Sequence, residues 1–352
     1  MRSLLQDPNQ WRRRTAVALV ISLVASSLFL WLTWQPGTGA ALGQLKPLAL
    51  LPVLGLLALL LGAEAMRLKT MTGRSLSFLA GLRIAVVGNF VSGITPTNAG
   101  GAPIRAVLLV RHGVSATRAA GVVVSESVAD LLCLVLLGPA ALLSARGGLL
   151  PRLPGIASVA GLLLIAIPTG YLLYHPRWLR TAAARALGWL AQRGWRAASR
   201  SRPRILRSIK EFQGALRAYW GHDWWRLVGG VGWTLVLWGA RFAILPAIVW
   251  GLGLPVAFWP LVVRQVIAYV ILLFPPTPGG SGVAEGIFPW MFRDLIPADF
   301  LGPAGVLWRI CNYHIFIVLG ALLTARQAAA IVAAPSSPPA AAPERRSGTP
   351  AA

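Results

Sequence analysis

Eight charged residues lie inside long apolar stretches of this 352-residue chain: Arg83, Arg105, Glu126, Asp130, Arg241, Arg264, Glu285 and Arg309. In lipid each costs about 2.5–3.5 kcal/mol on insertion scales, so the survivors are expected to face a cavity or a partner. Glu126 and Asp130 are four apart and share one helix face, where both ionise cheaply only beside cations. Five arginines for three carboxylates meet that need. The surplus guanidinium groups suit two-point contact with phosphate, and the plainer alternative is that buried pairs only lock helix register.

Two stretches break the apolar pattern. Gly93-Ile94-Thr95-Pro96-Thr97-Asn98-Ala99-Gly100-Gly101-Ala102-Pro103-Ile104-Arg105 is the first, and Phe274-Pro275-Pro276-Thr277-Pro278-Gly279-Gly280-Ser281-Gly282-Val283-Ala284-Glu285 the second. Backbone freed by such runs is tolerated at membrane depth only where it is buried in protein or lines a wet cavity. Arg105 and Glu285 follow the second glycine of their pairs by four and five residues, which predicts that the two tips approach and that these side chains line one polar pocket. The substrate-binding set expected there is Arg105, Glu285, Glu126, Asp130, Arg83, Arg264 and Arg309, with Thr97, Asn98, Gly100, Gly101, Gly279 and Gly280 of the turns. Helices starting after each turn would aim backbone N–H groups at a phosphate.

The elements that must carry these residues are membrane helices. The chain is 56% hydrophobic and 12% charged, with mean hydropathy +0.66, which excludes a soluble two-domain protein. Its formal charge of +23 comes from arginines at helix ends and in one long loop, so it speaks for orientation on a membrane and anionic head groups, with no nucleic acid as partner. Cys133 and Cys311 imply no disulfide scaffold, and the scattered His112, His175, His222 and His314 imply no metal site; no cofactor is expected.

The arrangement predicted is an all-α polytopic protein with about six full spans and two re-entrant helical hairpins. Arg2 and Arg12 to Arg14 hold a basic N-terminus, residues 1–14, in the cytoplasm, and Thr15 to Trp34 runs outward as a retained span. Lys46 to Met66 returns to Arg67, Lys69 and Arg74, with Glu64 and Arg67 read as a surface pair on one helix face. Leu76 to Ile94 breaks at Thr95-Pro96 and the chain reaches Arg111 too soon to cross; Ala119 to Leu143 goes out and Gly155 to Tyr174 returns. After Leu227 to Trp250, the segment Phe258 to Phe274 breaks at Pro275-Pro276, Val283 to Phe292 is again short, and Pro303 to Thr324 brings the C-terminus to the cytoplasm.

This order makes the transmembrane domain, residues 15–324, an inverted repeat: one copy over about 15–143, with its hairpin open to the cytoplasm, and an opposite copy over about 155–324. Within the second copy, residues 176–226 hold twelve Lys or Arg against Glu211 and Asp223, with Leu206, Ile209, Phe212, Leu216 and Tyr219 at helical spacing. That pattern suits an amphipathic helix on anionic lipid, and equally a loop that enforces topology. The Ala/Pro/Ser-rich residues 325–352 are expected to be a disordered cytoplasmic tail.

On these residues the chain resembles the flippase-like transmembrane region of bacterial lysylphosphatidylglycerol synthases and their stand-alone relatives in bacteria and archaea. The likeness runs from about Lys46 to Thr324. It is carried by Asn89-Phe90 leading to Thr95-Pro96, by Gly100-Gly101-x-Pro103-x-Arg105, by Glu126 with Asp130, and by Pro278-Gly279-Gly280-x-Gly282-x-x-Glu285. It implies re-entrant elements and movement of lipids between leaflets of the cell (inner) membrane. Ala102 and Ser127 stand where many relatives carry Glu and Arg, which bears on head-group chemistry. With no aminoacyl-transferase domain in the sequence, synthase activity is not implied.

The function expected is therefore a non-enzymatic flippase for a phospholipid or lipid-linked substrate, anionic or zwitterionic, with Glu126, Asp130 and Glu285 as candidate proton carriers. No Gly-x-x-x-x-Gly-Lys-Ser/Thr motif supplies nucleotide energy. The alternatives are a membrane-embedded enzyme acting on a lipid head group and a structural partner subunit.

Overall fold

The computed structural model describes residues 8–43, 47–144, 224–333 and scattered positions between 181 and 210. Among the described residues the regular structure is helical throughout: α1 Pro8–Leu32, α2 Thr38–Gly43, α3 Leu51–Thr72, α4 Phe78–Ile94, α5 Gly101–Arg111, α6 Ala116–Ser144, α7 Trp224–Gly251, α8 Phe258–Ile271, α9 Val283–Phe292, α10 Ala298–Arg309 and α11 Ile315–Ala333. Leu51–Thr72, Trp224–Gly251 and the run Ala298–Thr324 are long and apolar enough to cross a membrane, and Ala16–Leu32, Phe78–Ile94 and Phe258–Ile271 are shorter apolar helices. The expected span Gly155 to Tyr174 and most of 176–226 lie outside the described residues; within the latter, Arg193 stacks on Trp189 at 3.9 Å.

Several boundaries differ from the sequence reading. α1 starts at Pro8, a residue suited to the first helical turn because its missing N–H is unpaired there anyway, so Arg12, Arg13 and Arg14 are helical. α11 is helical beyond Thr324 to Ala333, where Ala325 to Ala330 are mostly strong helix formers; the rest of the expected tail lies outside the described residues.

α3 and α7 pack along each other as the central pair. α4 lies against α3 and α11, α5 turns back on α4 and α6, and α8 with α9 forms a second hairpin against α6, α7 and α10. α1 crosses α9, α10, α11 and α4. Lipid tails are as apolar as leucine, so such packing depends on close fit and interhelical polar contacts. One large apolar cluster joins α3, α7, α8, α9 and α10 around Leu60, Ile244, Leu245, Phe288, Phe292 and Trp308. A smaller one under α4, α5 and α6 contains Leu68, Met71, Ile84, Leu109 and Val122.

The two hairpin turns follow one design. Thr95 and Thr277 are extended, as a residue before proline must be, and a single 3₁₀ turn follows at Pro96–Asn98 and at Pro278–Gly280. Each turn holds two consecutive left-handed residues, Thr97 and Asn98 (φ 53° and 57°) in one and Gly279 and Gly280 (φ 58° and 65°) in the other. The matching positions are therefore the Thr-Pro pairs, not the glycine pairs. In that register Gly101 answers Val283, so Arg105 and Glu285 do not occupy equivalent places, which corrects the sequence alignment. The same spacing that separates Thr95 from Thr277 separates the starts of α6 and α10, Ala116 and Ala298.

Candidate functional site

The interior charges gather into two clusters. The first is built on α3 to α7. Arg67, 1% exposed, donates from Nε to Glu126 Oε1 at 3.0 Å and from Nη1 to Asp130 Oδ1 at 2.6 Å and Thr234 Oγ1 at 3.3 Å. The indole of Trp238 also donates to Asp130 Oδ1, at 3.0 Å. Glu64, 3% exposed, accepts from Asn89 Nδ2 at 2.7 Å. Arg105 donates to Asn89 Oδ1 at 2.8 Å and stands 3.7 Å from both Glu64 Oε2 and Glu126 Oε2. Arg241 Nη2 is 3.9 Å from Glu64 Oε1. Three carboxylates and three guanidinium groups balance, which is what makes their burial tolerable.

Glu64 and Arg67 are thus a correction to the surface pair expected. They do not pair with each other: α6 and α7 close over this face of α3, and each finds a partner on another helix. The missed signal was their place at the end of a spanning segment, on one face, opposite an excess of arginine. Gly88 matters here because a Cβ on it would sit 2.4 Å from Arg105 Nε; its bare backbone is the gap through which Arg105 reaches Asn89.

The second cluster surrounds the Pro278 turn. Glu285 folds back to accept from Gly282 N–H at 2.7 Å, closing the N-terminus of α9, and accepts from Arg309 Nε at 2.9 Å and Ser26 of α1 at 3.3 Å. Arg309 also donates to Gly279 O and Ser281 Oγ, both at 3.1 Å. Ile310–His314 is a π-helical turn. In such a turn residues five apart share a side, so Arg309 and His314 both look toward α1 and the hairpin, and His314 Nε2 lies 3.0 Å from Ser22 Oγ. Tyr313 is wedged between the hairpins: its hydroxyl donates to Gly93 O at 3.2 Å and its ring fills the space a side chain at Gly279 would need.

The two turns do meet, as expected, but Arg105 and Glu285 are not partners. Arg105 reaches back along α4 into the first cluster, and Glu285 is spent on its own turn. Glu126 and Asp130 fall in the first cluster and Arg309 in the second. Thr97 and Asn98 are exposed at the first tip, Gly100 N–H donates to Thr95 Oγ1 at 3.0 Å, and Gly101 is buried. Gly280 is buried at the second. Arg83 lies on the exposed side of α4, away from either cluster. Arg264 binds both oxygens of Asp294, from Nη2 at 2.6 Å, and Met291 O at 2.6 Å, tying α8 to the end of α9.

Between the clusters runs a wall of rings, Trp238, Phe242, Tyr269, Trp308 and Phe288, each within 6.1 Å of the next. Tyr269 bridges them in polar terms too, donating to Asn312 Oδ1 at 2.7 Å. No group of three His, Cys, Asp or Glu among the described residues is placed to hold a metal.

A family model described as the lysylphosphatidylglycerol synthase TM region matches residues 16–320. The chain is 28% identical over 278 residues to a UPF0104 membrane protein of Archaeoglobus fulgidus, covering 73% of this chain and 80% of that one. No solved structure matches it.

Proposed function

We propose that this chain, which belongs to the family of the lysylphosphatidylglycerol synthase TM region, moves a phosphate-bearing lipid or lipid-linked substrate between membrane leaflets. The observation that carries this reading is the first cluster: six charges held among lipid-embedded helices, with Arg105 and Arg241 12% and 15% exposed and Asp130 31% exposed. Charge is costly in such a place, and by default it marks a path for something polar. A gate needs partners that exchange, and ion pairs at 3.7 Å and 3.9 Å are looser than the bonds of Arg67.

In this proposal α4–α5 and α8–α9 are re-entrant hairpins of an inverted repeat, opening to opposite sides. The shared design of their turns supports that. Two further contacts agree with the proposed topology in the inner membrane, with both termini cytoplasmic. The Asp299 carboxylate lies over Gly37, joining two segments proposed to be external, and the Arg226 guanidinium lies over Gly73, joining two proposed to be cytoplasmic. Transport driven by a gradient or by downhill flow needs no cofactor. The basic region 176–226 is proposed to rest on anionic lipid.

Purified protein in vesicles, with a fluorescent phospholipid quenched from outside, tests the reading. The parent is expected to expose inner-leaflet lipid. Arg105→Lys, which keeps the charge and loses the planar fork, is expected to slow that exposure about tenfold, or about 1.4 kcal/mol. Lipid that stays in its leaflet in the parent protein, or emerges chemically altered, would replace transport with a binding or enzymatic role.

A further inference from the structure

The arginines of the interior differ in how much of their hydrogen-bonding capacity is in use. Arg67 bonds three side chains, Arg309 uses Nε and both terminal nitrogens, and Arg264 grips Asp294 with both. Arg241 is different. Its nearest carboxylate oxygen is 3.9 Å away, beyond hydrogen-bond reach, and its buried Nε has no partner. The guanidinium lies beside rings, 5.4 Å from the centroid of Trp238 and 5.8 Å from that of Tyr269, whose side chain is hydrogen-bonded to it.

We infer that Arg241, backed by Trp238 and Tyr269, is the group that receives the phosphate of the lipid, sharing it with Arg105 across Glu64. The inference deepens the transport reading and rests on it. An unpaired buried donor is costly, so a guanidinium whose Nε is left in that state while rings and the Tyr269 side chain fix its position is pre-organised for a further acceptor. The geometry names the acceptor. Arg105 faces Glu64 Oε2 and Arg241 faces Glu64 Oε1, so two planar donors flank one carboxylate without using up its hydrogen bonds. A phosphate has spare oxygens for both, and a fork on a rigid aromatic backing suits it in two-point contact. Glu64 keeps its bond from Asn89, 2.7 Å long, and holds the two cations apart until the phosphate arrives. The lipid class selected is one with a phosphomonoester or phosphodiester head group; uncharged glycolipids and diacylglycerols lack the acceptor.

The test is equilibrium binding to the full-length detergent-solubilised protein, with radiolabelled dihexanoylphosphatidylglycerol as probe and dihexanoylglycerol as its uncharged counterpart. Arg241→Gln is expected to weaken binding of the phospholipid at least tenfold, Arg241→Lys to weaken it less, and neither to change binding of the glycerol compound. Arg293→Gln, an exposed arginine at the end of α9, is expected to change nothing. Unchanged phospholipid binding in Arg241→Gln, or equal losses for both probes, overturns the assignment. If the Gln variant does not fold, Arg241→Lys, which keeps the charge beside Glu64, decides the matter by the same two criteria. Should the parent bind the phospholipid through Arg241 yet move none in vesicles, the transport reading falls and this site stands. Movement in the parent with intact binding in Arg241→Gln does the reverse.

Discussion

Arg67→Ala is expected to cost the fold about 3–5 kcal/mol, the range for breaking one side of a buried ion pair. The substitution removes the Nε and Nη1 bonds to Glu126 and Asp130 and leaves Glu126, 2% exposed, facing only Arg105 at 3.7 Å. Glu126 Oε2 already lacks a hydrogen bond, so the carboxylate would lose the one strong donor it has. The readout is the thermal midpoint of the detergent-solubilised protein followed by size exclusion, with the variant aggregating well below the parent. The double change Arg67→Met, Glu126→Gln is expected to recover most of the loss, since it removes the arginine together with its buried carboxylate partner and leaves Glu64 and Asp130 with Arg105 and Arg241, two carboxylates for two guanidinium groups. A midpoint within a degree or two of the parent for Arg67→Ala alone would show that the cluster is hydrated and loosely held.

Gly279→Ala is expected to be the next most damaging single change, at about 2–5 kcal/mol. Two effects add. The backbone at φ 58° costs any L side chain about 1–2 kcal/mol, and the new Cβ would sit 1.9 Å from the Tyr313 ring, an overlap worth about 1–3 kcal/mol even after neighbours shift. Tyr313→Ala removes the overlap but not the backbone strain. In a double-mutant cycle read from thermal midpoints, the pair is expected to be less harmful than the sum of the singles by about 1–3 kcal/mol. Strict additivity would mean that the ring does not touch the turn in solution.

Much of the helical order was legible because Pro and Gly mark where membrane helices stop. α9 occupies Val283–Phe292, the segment read from sequence as too short to cross, and the break after Ile94 is where α4 ends. The partners of the charges were not legible. Helices apolar on all sides give no hint of which side faces protein, so Glu64 and Arg67 looked like a superficial pair until α6 and α7 were seen to close over them. Arg241 was counted among the interior charges, yet nothing in its neighbours along the chain revealed the rings that hold it. The hairpin register misled for a similar reason: glycine pairs catch the eye, but the residue forced extended before proline fixes where the turn begins, and Asn98 is of a type that enters the left-handed region more readily than other non-glycine residues.

Tyr313 touches Gly93 at the end of one hairpin and Gly279 in the turn of the other, while Arg309 stacks over its ring at 4.6 Å. A side chain shared in this way makes the two turns thermodynamically linked. Whatever factor a ligand at the first hairpin imposes on the opening of the second must be returned, in equal measure, by opening the second on the ligand's affinity at the first. In the proposed transport cycle the wedge would set a common free-energy scale for both openings, and its strength would limit how far either turn responds alone.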